Sequence, residues 1–253
     1  MSKNYLAMKQ RLDRMLVEKK LAPTREKAKA FIMAGKVRVD GQPSEKSGRM
    51  IRNDSLVEVI GNDQSYVSRG GLKLKAALDD FGFSCDGLVT MDVGASTGGF
   101  THCLLLCGVE KVFAVDVGYG QLAWELRQDH RVKLLERTNI RFLEFEKIGE
   151  FVDLVVIDVS FISLKLVFSK VFEFLKPGGS LIALVKPQFE AGVDDVGKRG
   201  KVSDSRVHKK VLDRLISESK RNGFIFVSQI KSSILGKKSG NEEFFLLLGK
   251  PKY

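Results

Sequence analysis

The stretch Met91-Asp92-Val93-Gly94-Ala95-Ser96-Thr97-Gly98-Gly99-Phe100 restricts the possible folds of this chain more than any other. An apolar run, Leu88-Val89-Thr90, leads into it, and a helix-like segment, His102 to Cys107, leaves it. Strand, glycine-rich turn and helix in that order present backbone N–H groups and a positive helix end to a bound ligand. Gly94 and Gly98 permit backbone angles closed to other residues, so a ligand can come close to the main chain there.

The turn itself leaves three readings open. Gly94-Ala95-Ser96-Thr97-Gly98 fits the G-x-S-x-G elbow that exposes a hydrolase's nucleophilic serine. It also fits the D-x-G-x-x-x-G loop by which many methyltransferases hold S-adenosylmethionine, and it fits an ordinary tight turn. It does not fit the dinucleotide fingerprint, because Ser96 stands where the second glycine belongs, and it lacks the lysine of a P-loop.

The rest of the chain alternates strand and helix. Val112 to Val115 reads as a buried strand ending in Asp116, about 20 residues past the turn, where an acidic side chain suits a ribose diol. Gln121 to Arg127 reads as a helix, Val132 to Leu135 as a strand before the Arg137-Thr138-Asn139 loop, and Asp153 to Ile157 as a strand ending in Asp158. Ser163 to Phe174 is a helix stopped by Lys176-Pro177-Gly178-Gly179, and Leu181 to Val185 is a strand ending in Lys186. Ala191 to Val202 is a glycine- and lysine-rich loop, read as mobile and solvated and as a candidate RNA contact. Ser203 is the expected cap of a long helix to Asn222, and Phe224 to Ile230 and Phe244 to Leu248 are final strands. This alternation predicts a doubly wound α/β sheet with ligands beyond the carboxyl ends of its strands. Asp92, Asp116, Asp158 and Lys186 are therefore expected to face one crevice.

That expectation weighs against the hydrolase. Ser96 needs a histidine following the acidic partner on a loop at the sheet edge. His102 and His130 precede Asp158, and His208 falls inside the long helix. A lysine beside an aspartate points instead to managing the proton of a weakly acidic hydroxyl such as a ribose 2′-hydroxyl.

Ahead of this domain lies a smaller module. Leu12, Met15 and Leu16 recur at helical spacing between Tyr5 and Lys20, Pro23 breaks the pattern, and Thr24 is placed to cap a helix from Arg25 to Ala34. Val37-Arg38-Val39 enters a turn at Asp40-Gly41, and Ser55 to Ile60 reads as a returning strand. Residues 1–60 thus form a small α+β domain, 61–67 a polar linker and 68–253 the sheet domain. The chain carries a net charge of +11, and the small module holds Arg25, Lys27, Lys29, Lys36, Arg38, Lys46, Arg49 and Arg52. Such clustering favours a nucleic-acid face. Three cysteines without a C-x-x-C pair fit a reducing compartment. With no signal-peptide pattern and no apolar run near the ~20 residues of a membrane span, a cytoplasmic protein without stable membrane association is expected.

Arg11-Leu12-Asp13, Thr24-Arg25-Glu26-Lys27-Ala28 and Ala34-Gly35-Lys36-Val37-Arg38-Val39-Asp40-Gly41 resemble the RNA-binding domain named after ribosomal protein S4. Val67-Ser68-Arg69-Gly70, the glycine turn, Asp116-Val117-Gly118-Tyr119-Gly120, Leu135-Glu136-Arg137-Thr138-Asn139, Asp158-Val159-Ser160-Phe161, Leu184-Val185-Lys186-Pro187 and Ser239-Gly240-Asn241-Glu242-Glu243 resemble one family. It is the TlyA or haemolysin A family, an S4-type domain fused to an FtsJ-like ribosomal RNA methyltransferase.

The resemblance implies a Rossmann-like methyltransferase sheet, S-adenosylmethionine as methyl donor, and 2′-O-methylation of a ribosomal RNA cytidine without a metal. It implies a catalytic set of Lys73, Asp158, Lys186 and Glu243, although by spacing alone Lys73 is a solvated helix lysine. Asp92, Gly94, Ser96, Thr97, Gly98, Asp116 and Asn139 are the expected cofactor residues, and Arg11, Arg25, Lys36 and Arg38 the expected RNA contacts. The expected partners are ribosomal RNA or ribosomal subunits. The basic run Gly197-Lys198-Arg199-Gly200-Lys201 is more charged than the family pattern. A membrane-active haemolysin and a non-catalytic ribosome-assembly factor are the rival functions.

Overall fold

The protein is described here from a computed structural model, covering residues 9–19, 21–22, 24–59, 66–192, 195–236 and 240–253. The start of the expected first helix, Pro23, the strand end at Ile60, residues 61–65 of the linker, two residues of the 191–202 loop and Ser239 lie outside the described residues. The chain divides into two compact units, Met1–Ser65 and Tyr66–Tyr253.

In the first unit the helix begins at Leu12. Lys9–Arg11 is instead a strand, β1, paired antiparallel with β4 (Met50–Arg52), which corrects the expected helix from Tyr5. Helix α1 (Leu12–Glu18) and helix α2 (Arg25–Met33) follow, and the Thr24 hydroxyl caps α2 by accepting from the Lys27 amide at 3.2 Å. Strand β2 (Val37–Val39) buries both valines and points Arg38 outward, as a half-buried strand of period two must. Asp40 and Gly41 take left-handed angles at the expected turn and return the chain as β3 (Gln42–Pro43), a short strand absent from the sequence reading. On its other edge β2 pairs with β5 (Val57–Val59), the shortened form of the expected returning strand. Leu12, Met15, Leu16, Ala28, Ile32, Val37, Val39, Ile51 and Val57 close the core.

The second unit is built on a seven-stranded sheet in the order β11-β12-β10-β9-β6-β7-β8 among the described residues. The strands are β6 (Val89–Val93), β7 (Lys111–Val115), β8 (Val132–Leu135), β9 (Val152–Ile157), β10 (Leu175–Val185), β11 (Ile225–Lys231) and β12 (Phe244–Gly249). Only β12 runs against its neighbours. Alternate residues divide between two apolar layers. Leu154, Val156, Ile182 and Leu184 pack with α3 (Arg69–Phe81) and α4 (Gly99–Leu106). Val155, Ile157, Leu181 and Ala183 pack with α6 (Phe168–Phe174) and α8 (Ser205–Arg221). Two short helices, α5 (Trp124–Arg127) and α7 (Pro187–Glu190), complete the unit.

Several boundaries differ from the sequence reading. Helix α3 begins at Arg69, three residues ahead of the Leu72 start that its apolar stripe of Leu74, Ala77, Leu78 and Phe81 suggests, because the Ser68 hydroxyl accepts from the Gly70 amide. Asp204, not Ser203, caps α8, its carboxylate accepting from the Arg206 amide at 2.8 Å. The expected helix from Ser163 is a 3-10 turn, Leu164–Leu166, followed by α6, with the buried Glu190 carboxylate accepting from the Leu164 amide at 2.8 Å. Pro177-Gly178-Gly179 lies within β10 as an irregularity between Leu175 and Ser180 and does not separate helix from strand. Gly178 donates its amide to Lys250 and Pro251 carbonyls there, so the interrupted ladder keeps its hydrogen bond.

Candidate active site

The glycine loop is tied down from three sides. The Gly94 and Ala95 amides donate to the Val115 carbonyl at 2.8 and 3.3 Å, which fixes the loop to the end of β7. The Ser96 amide donates to Asp116 Oδ2 at 2.7 Å, and Asp116 Oδ1 accepts from the Gly118 amide at 2.6 Å. Asp116 thus bridges the loops after β6 and β7. Gly94 has φ 88° and Ser96 φ 48°, left-handed angles that fold the loop back onto the end of β7. A Cβ at Gly94 would sit 2.5 Å from the Asp158 carbonyl oxygen, so the ends of β6 and β9 meet only because position 94 lacks a side chain. Ser96 and Thr97 are exposed and Gly98 is buried.

Ser96 is not set up as a nucleophile. Its hydroxyl donates to Gln121 Oε1 at 3.3 Å. His102 Nδ1 accepts from the Val67 amide, His208 Nε2 sits 3.0 Å from the Val202 carbonyl, and His130 is exposed beside Asp129.

Asp92 lies beneath this loop and does not line the crevice. It is 0% exposed; Oδ2 accepts from the Thr101 hydroxyl at 2.6 Å, while Oδ1 has no hydrogen-bond partner among the described residues. Burial pushes its carboxyl up to about 7, opposed by Thr101 and reinforced by Asp158 and Asp116.

Two ion pairs stand at the carboxyl edge of the sheet. Asp158 follows β9, held by its amide to the Val93 carbonyl at 3.0 Å, and pairs with Lys186, which follows β10. Lys186 Nζ also donates to the Ser160 hydroxyl at 3.0 Å. Glu243 directly precedes β12, and the last β10–β12 pair is Val185 with Phe244, so the antiparallel register carries Glu243 toward Lys186. Glu243 pairs with Lys73 of α3 at 2.5 Å, and the two side chains are 3% and 10% exposed. Residues 170 positions apart thus meet in a buried pair, and Lys73 is not the solvated lysine that its helix spacing suggested.

Two neighbours escaped the sequence reading. Ser160 accepts from Lys186, and Phe161 is 84% exposed in a left-handed conformation, φ 63°, with its ring centroid 4.8 Å from that of Phe189. Their signal was their position directly after Asp158; the strained backbone is invisible in sequence. Asn139 sits at the head of the 3-10 turn Ile140–Phe142, its Oδ1 accepting from the Arg141 amide. Its loop is tied to Asp116 through the Thr138 amide, and Arg137 stacks over Tyr119 at 4.2 Å.

In the first unit, Arg11 and Arg25 converge on one carboxylate. Asp13 is 0% exposed and accepts from Arg11 at 3.0 Å and Arg25 at 3.1 Å. The Arg11 hydrogen bond, helped by Arg25 and opposed by burial, holds its carboxyl down at about 2. Lys36 and Arg38 are exposed at and beside β2.

The FtsJ-like methyltransferase family model matches residues 66–250, and the S4 domain model matches residues 10–55. The chain is 43% identical over 244 residues to the 16S/23S rRNA (cytidine-2′-O)-methyltransferase TlyA of Mycobacterium tuberculosis, covering 96% of this chain and 91% of that one. The chain belongs to the TlyA branch of the FtsJ-like methyltransferases. Hemolysin A of Brachyspira hyodysenteriae is 39% identical, covering 92% of this TlyA-type chain and 97% of its own. A solved Streptococcus thermophilus structure described as a hemolysin is 42% identical, with a TM-score of 0.73 over 96% of this chain and 89% of that one. The N-methyltransferase NodS of Bradyrhizobium japonicum, solved with S-adenosyl-L-homocysteine, shares only the fold, at 14% identity and a TM-score of 0.50 over 72% of this chain and 86% of that one.

S-adenosylmethionine is the methyl donor of this family, and the residues present fit it. Ser96 and Thr97 are exposed on the loop, position 94 has no room for a side chain, and the Asp92 oxygen without a hydrogen-bond partner among the described residues lies buried beneath. Among the described residues, no helix is long and apolar enough to cross a membrane.

Proposed function

We propose that this chain transfers the methyl group of S-adenosylmethionine to the 2′-oxygen of a cytidine ribose in ribosomal RNA. The carrying observation is the Lys186–Asp158 pair beside the Lys73–Glu243 pair, both at the sheet edge that bears the glycine loop. Its TlyA relatives of Mycobacterium tuberculosis and Campylobacter jejuni are named cytidine-2′-O-methyltransferases, which supports the cytidine and the 2′-oxygen.

Gly94, Ser96, Thr97 and Gly98 hold the amino-acid part of the cofactor, and the buried Asp92 supports that loop from beneath through Thr101; Asp116 takes its ribose and Asn139 borders its adenine. When bound, the cofactor supplies an electrophilic methyl group on a sulfonium. The chain's own task is the 2′-hydroxyl, a weak nucleophile until its proton is held elsewhere. The Lys186 amine, paired with Asp158 and donating to Ser160, stands at this edge to address the hydroxyl. Lys186 holds the hydroxyl proton as the new O–C bond forms, and Asp158 fixes the amine. Lys73 and Glu243 neutralise each other, so they frame the ribose without adding a net charge to the site. In-line positioning supplies much of the acceleration. The exposed Phe161 ring offers a face on which an unstacked base can lie.

In the small unit, Arg11, Arg25, Lys36 and Arg38 take RNA phosphates. The shared grip of Asp13 presents two guanidiniums as a preformed fork, which lowers the ordering cost of each contact. Ribosomal subunits and protein-free ribosomal RNA are both candidate substrates.

The test is radiolabel transfer from S-adenosylmethionine to both substrates. Lys186→Ala should bind the cofactor normally in calorimetry yet transfer roughly 10²- to 10⁴-fold more slowly, the usual range for a lost proton-handling group. A folded Lys186→Ala protein with wild-type transfer would falsify the assignment.

A further inference from the structure

The basic run that departs from the family pattern is an ordered hairpin. Gly197 and Lys201 bridge, with the Gly197 amide donating to the Lys201 carbonyl at 2.9 Å, and the tip is Lys198-Arg199-Gly200. Arg199 takes a left-handed conformation, φ 63°, uncommon for a residue with a Cβ. The hairpin is clasped at its base by Asn241, 1% exposed, whose Oδ1 accepts from the Val202 amide at 2.9 Å and whose Nδ2 donates to the Gly200 carbonyl at 2.8 Å. His208 adds a contact at 3.0 Å to the Val202 carbonyl. The expectation of a mobile loop is therefore corrected for 197–202: buried polar groups hold this segment.

Lys198, Arg199 and Lys201 are exposed, and their side chains make no ion pair or hydrogen bond among the described residues. Nearby carboxylates are already engaged. Asp195 is paired with Lys210, Asp204 with Arg206, and Glu242 with Lys231 and His208. Among the described residues, three exposed cations of this hairpin thus have no paired carboxylate. Asn241 stands two residues before Glu243, and its carbonyl accepts from the Gly236 amide at 2.9 Å. One clasp therefore fixes both the hairpin and the approach to Glu243, at the end of the sheet where Lys186 and Asp158 lie.

We infer that the Gly197–Lys201 hairpin is a phosphate-binding finger that grips the RNA backbone beside the reacting nucleotide. The inference rests on the methyltransferase reading for the identity of the RNA. Exposed cations clustered on one ordered hairpin concentrate the positive field that attracts a polyanion. Cofactor binding plays no part in it, because the finger lies outside the glycine loop.

The full-length protein carrying Lys198→Ser, Arg199→Asn and Lys201→Ser tests it; asparagine tolerates the left-handed angle at 199. The probe is a mixture of salt-washed ribosomal subunits, titrated at several salt concentrations. Each lost phosphate contact removes about 0.7–0.9 from the slope of log affinity against log salt, so the triple variant should lose about 2 and bind roughly 10- to 100-fold more weakly near 0.1 M salt. Its S-adenosylmethionine affinity should be unchanged, which also reports that it folds. Lys198→Arg with Lys201→Arg should bind as wild type. An unchanged slope and affinity in a triple variant that still binds cofactor overturns the finger. So does weakened binding to phosphatidylglycerol vesicles with subunit binding intact, which makes the hairpin a lipid contact. Wild-type protein that binds subunits through the finger but transfers no methyl group overturns the methyltransferase reading and leaves the finger standing.

Discussion

Asp92 combines full burial, one hydrogen bond and one oxygen without a partner, a costly arrangement for a carboxylate unless a cation or a proton joins it. Burial raises its folded carboxyl to about 7, above the ~3.9 of an unfolded aspartate. The folded state therefore holds the proton more tightly, and that stabilisation is full below pH ~4 and lost as pH rises through about 7. Cofactor-free protein should melt at falling temperature between pH 5 and 8, and Asp92→Asn should flatten that decline while weakening cofactor binding. Melting curves with the same pH slope in both proteins would remove the assignment. Ser160 acts only through Lys186, so Ser160→Ala should lower turnover by about 1 kcal/mol, roughly 5-fold, leaving the KM for S-adenosylmethionine unchanged. Ser160→Thr, which keeps the hydroxyl acceptor, should restore the rate. A change in KM alone would mean that Ser160 serves the fold or the cofactor.

Helices α3 and α4 meet at glycines. A Cβ at Gly99 would run into the Ser68 hydroxyl and come within 2.9 Å of the Gly71 amide nitrogen, so the first turn of α3 must retreat. That turn carries Lys73 to Glu243. Gly99→Ala should therefore cost about 1–3 kcal/mol, as overpacking does, and reduce transfer more than it reduces cofactor affinity. Thermal melts together with single-turnover rates decide it; a stable, fully active variant shows that α3 can shift without loss. The sequence reading was strongest at this scale. Its strands at β7, β8, β9 and β12 fall within two residues of the observed ones, because alternation and apolar runs are local signals. It missed where capping partners compete, as with Ser203 and Asp204 at α8, and where a carboxylate distant in sequence, Glu190, reshapes a helix start.

Over the whole molecule, charge is arranged differently in the two units. Around the sheet edge the lysines are answered by carboxylates, whereas in Met1–Ser65 the buried Asp13 is outnumbered by Arg11 and Arg25. Its folded carboxyl, held at about 2, lies below the unfolded value of ~3.9. Its contribution is therefore full above pH ~4 and disappears as pH falls through about 2; with both guanidiniums half-exposed it amounts to about 1–2 kcal/mol. Asp13→Asn should remove it at neutral pH, speed hydrogen exchange across α1 and α2, and weaken binding to ribosomal RNA. Unchanged exchange in those helices would show that the arginine fork is not held by Asp13.

The sequence by itself determined the glycine turn, the alternation of strand and helix, and the basic small module, because each is written in residues close together along the chain. Motif spacing also carried the catalytic and cofactor candidates by family resemblance. Tertiary structure alone decided that Lys9–Arg11 is a strand, that Pro177-Gly178-Gly179 lies inside β10, and that Asp92 sits below the crevice. It alone brought Lys73 to Glu243 across 170 positions and closed Asn241 around the basic hairpin. Those outcomes depend on strand register and on which helix covers which face, and both are settled by packing over the whole unit.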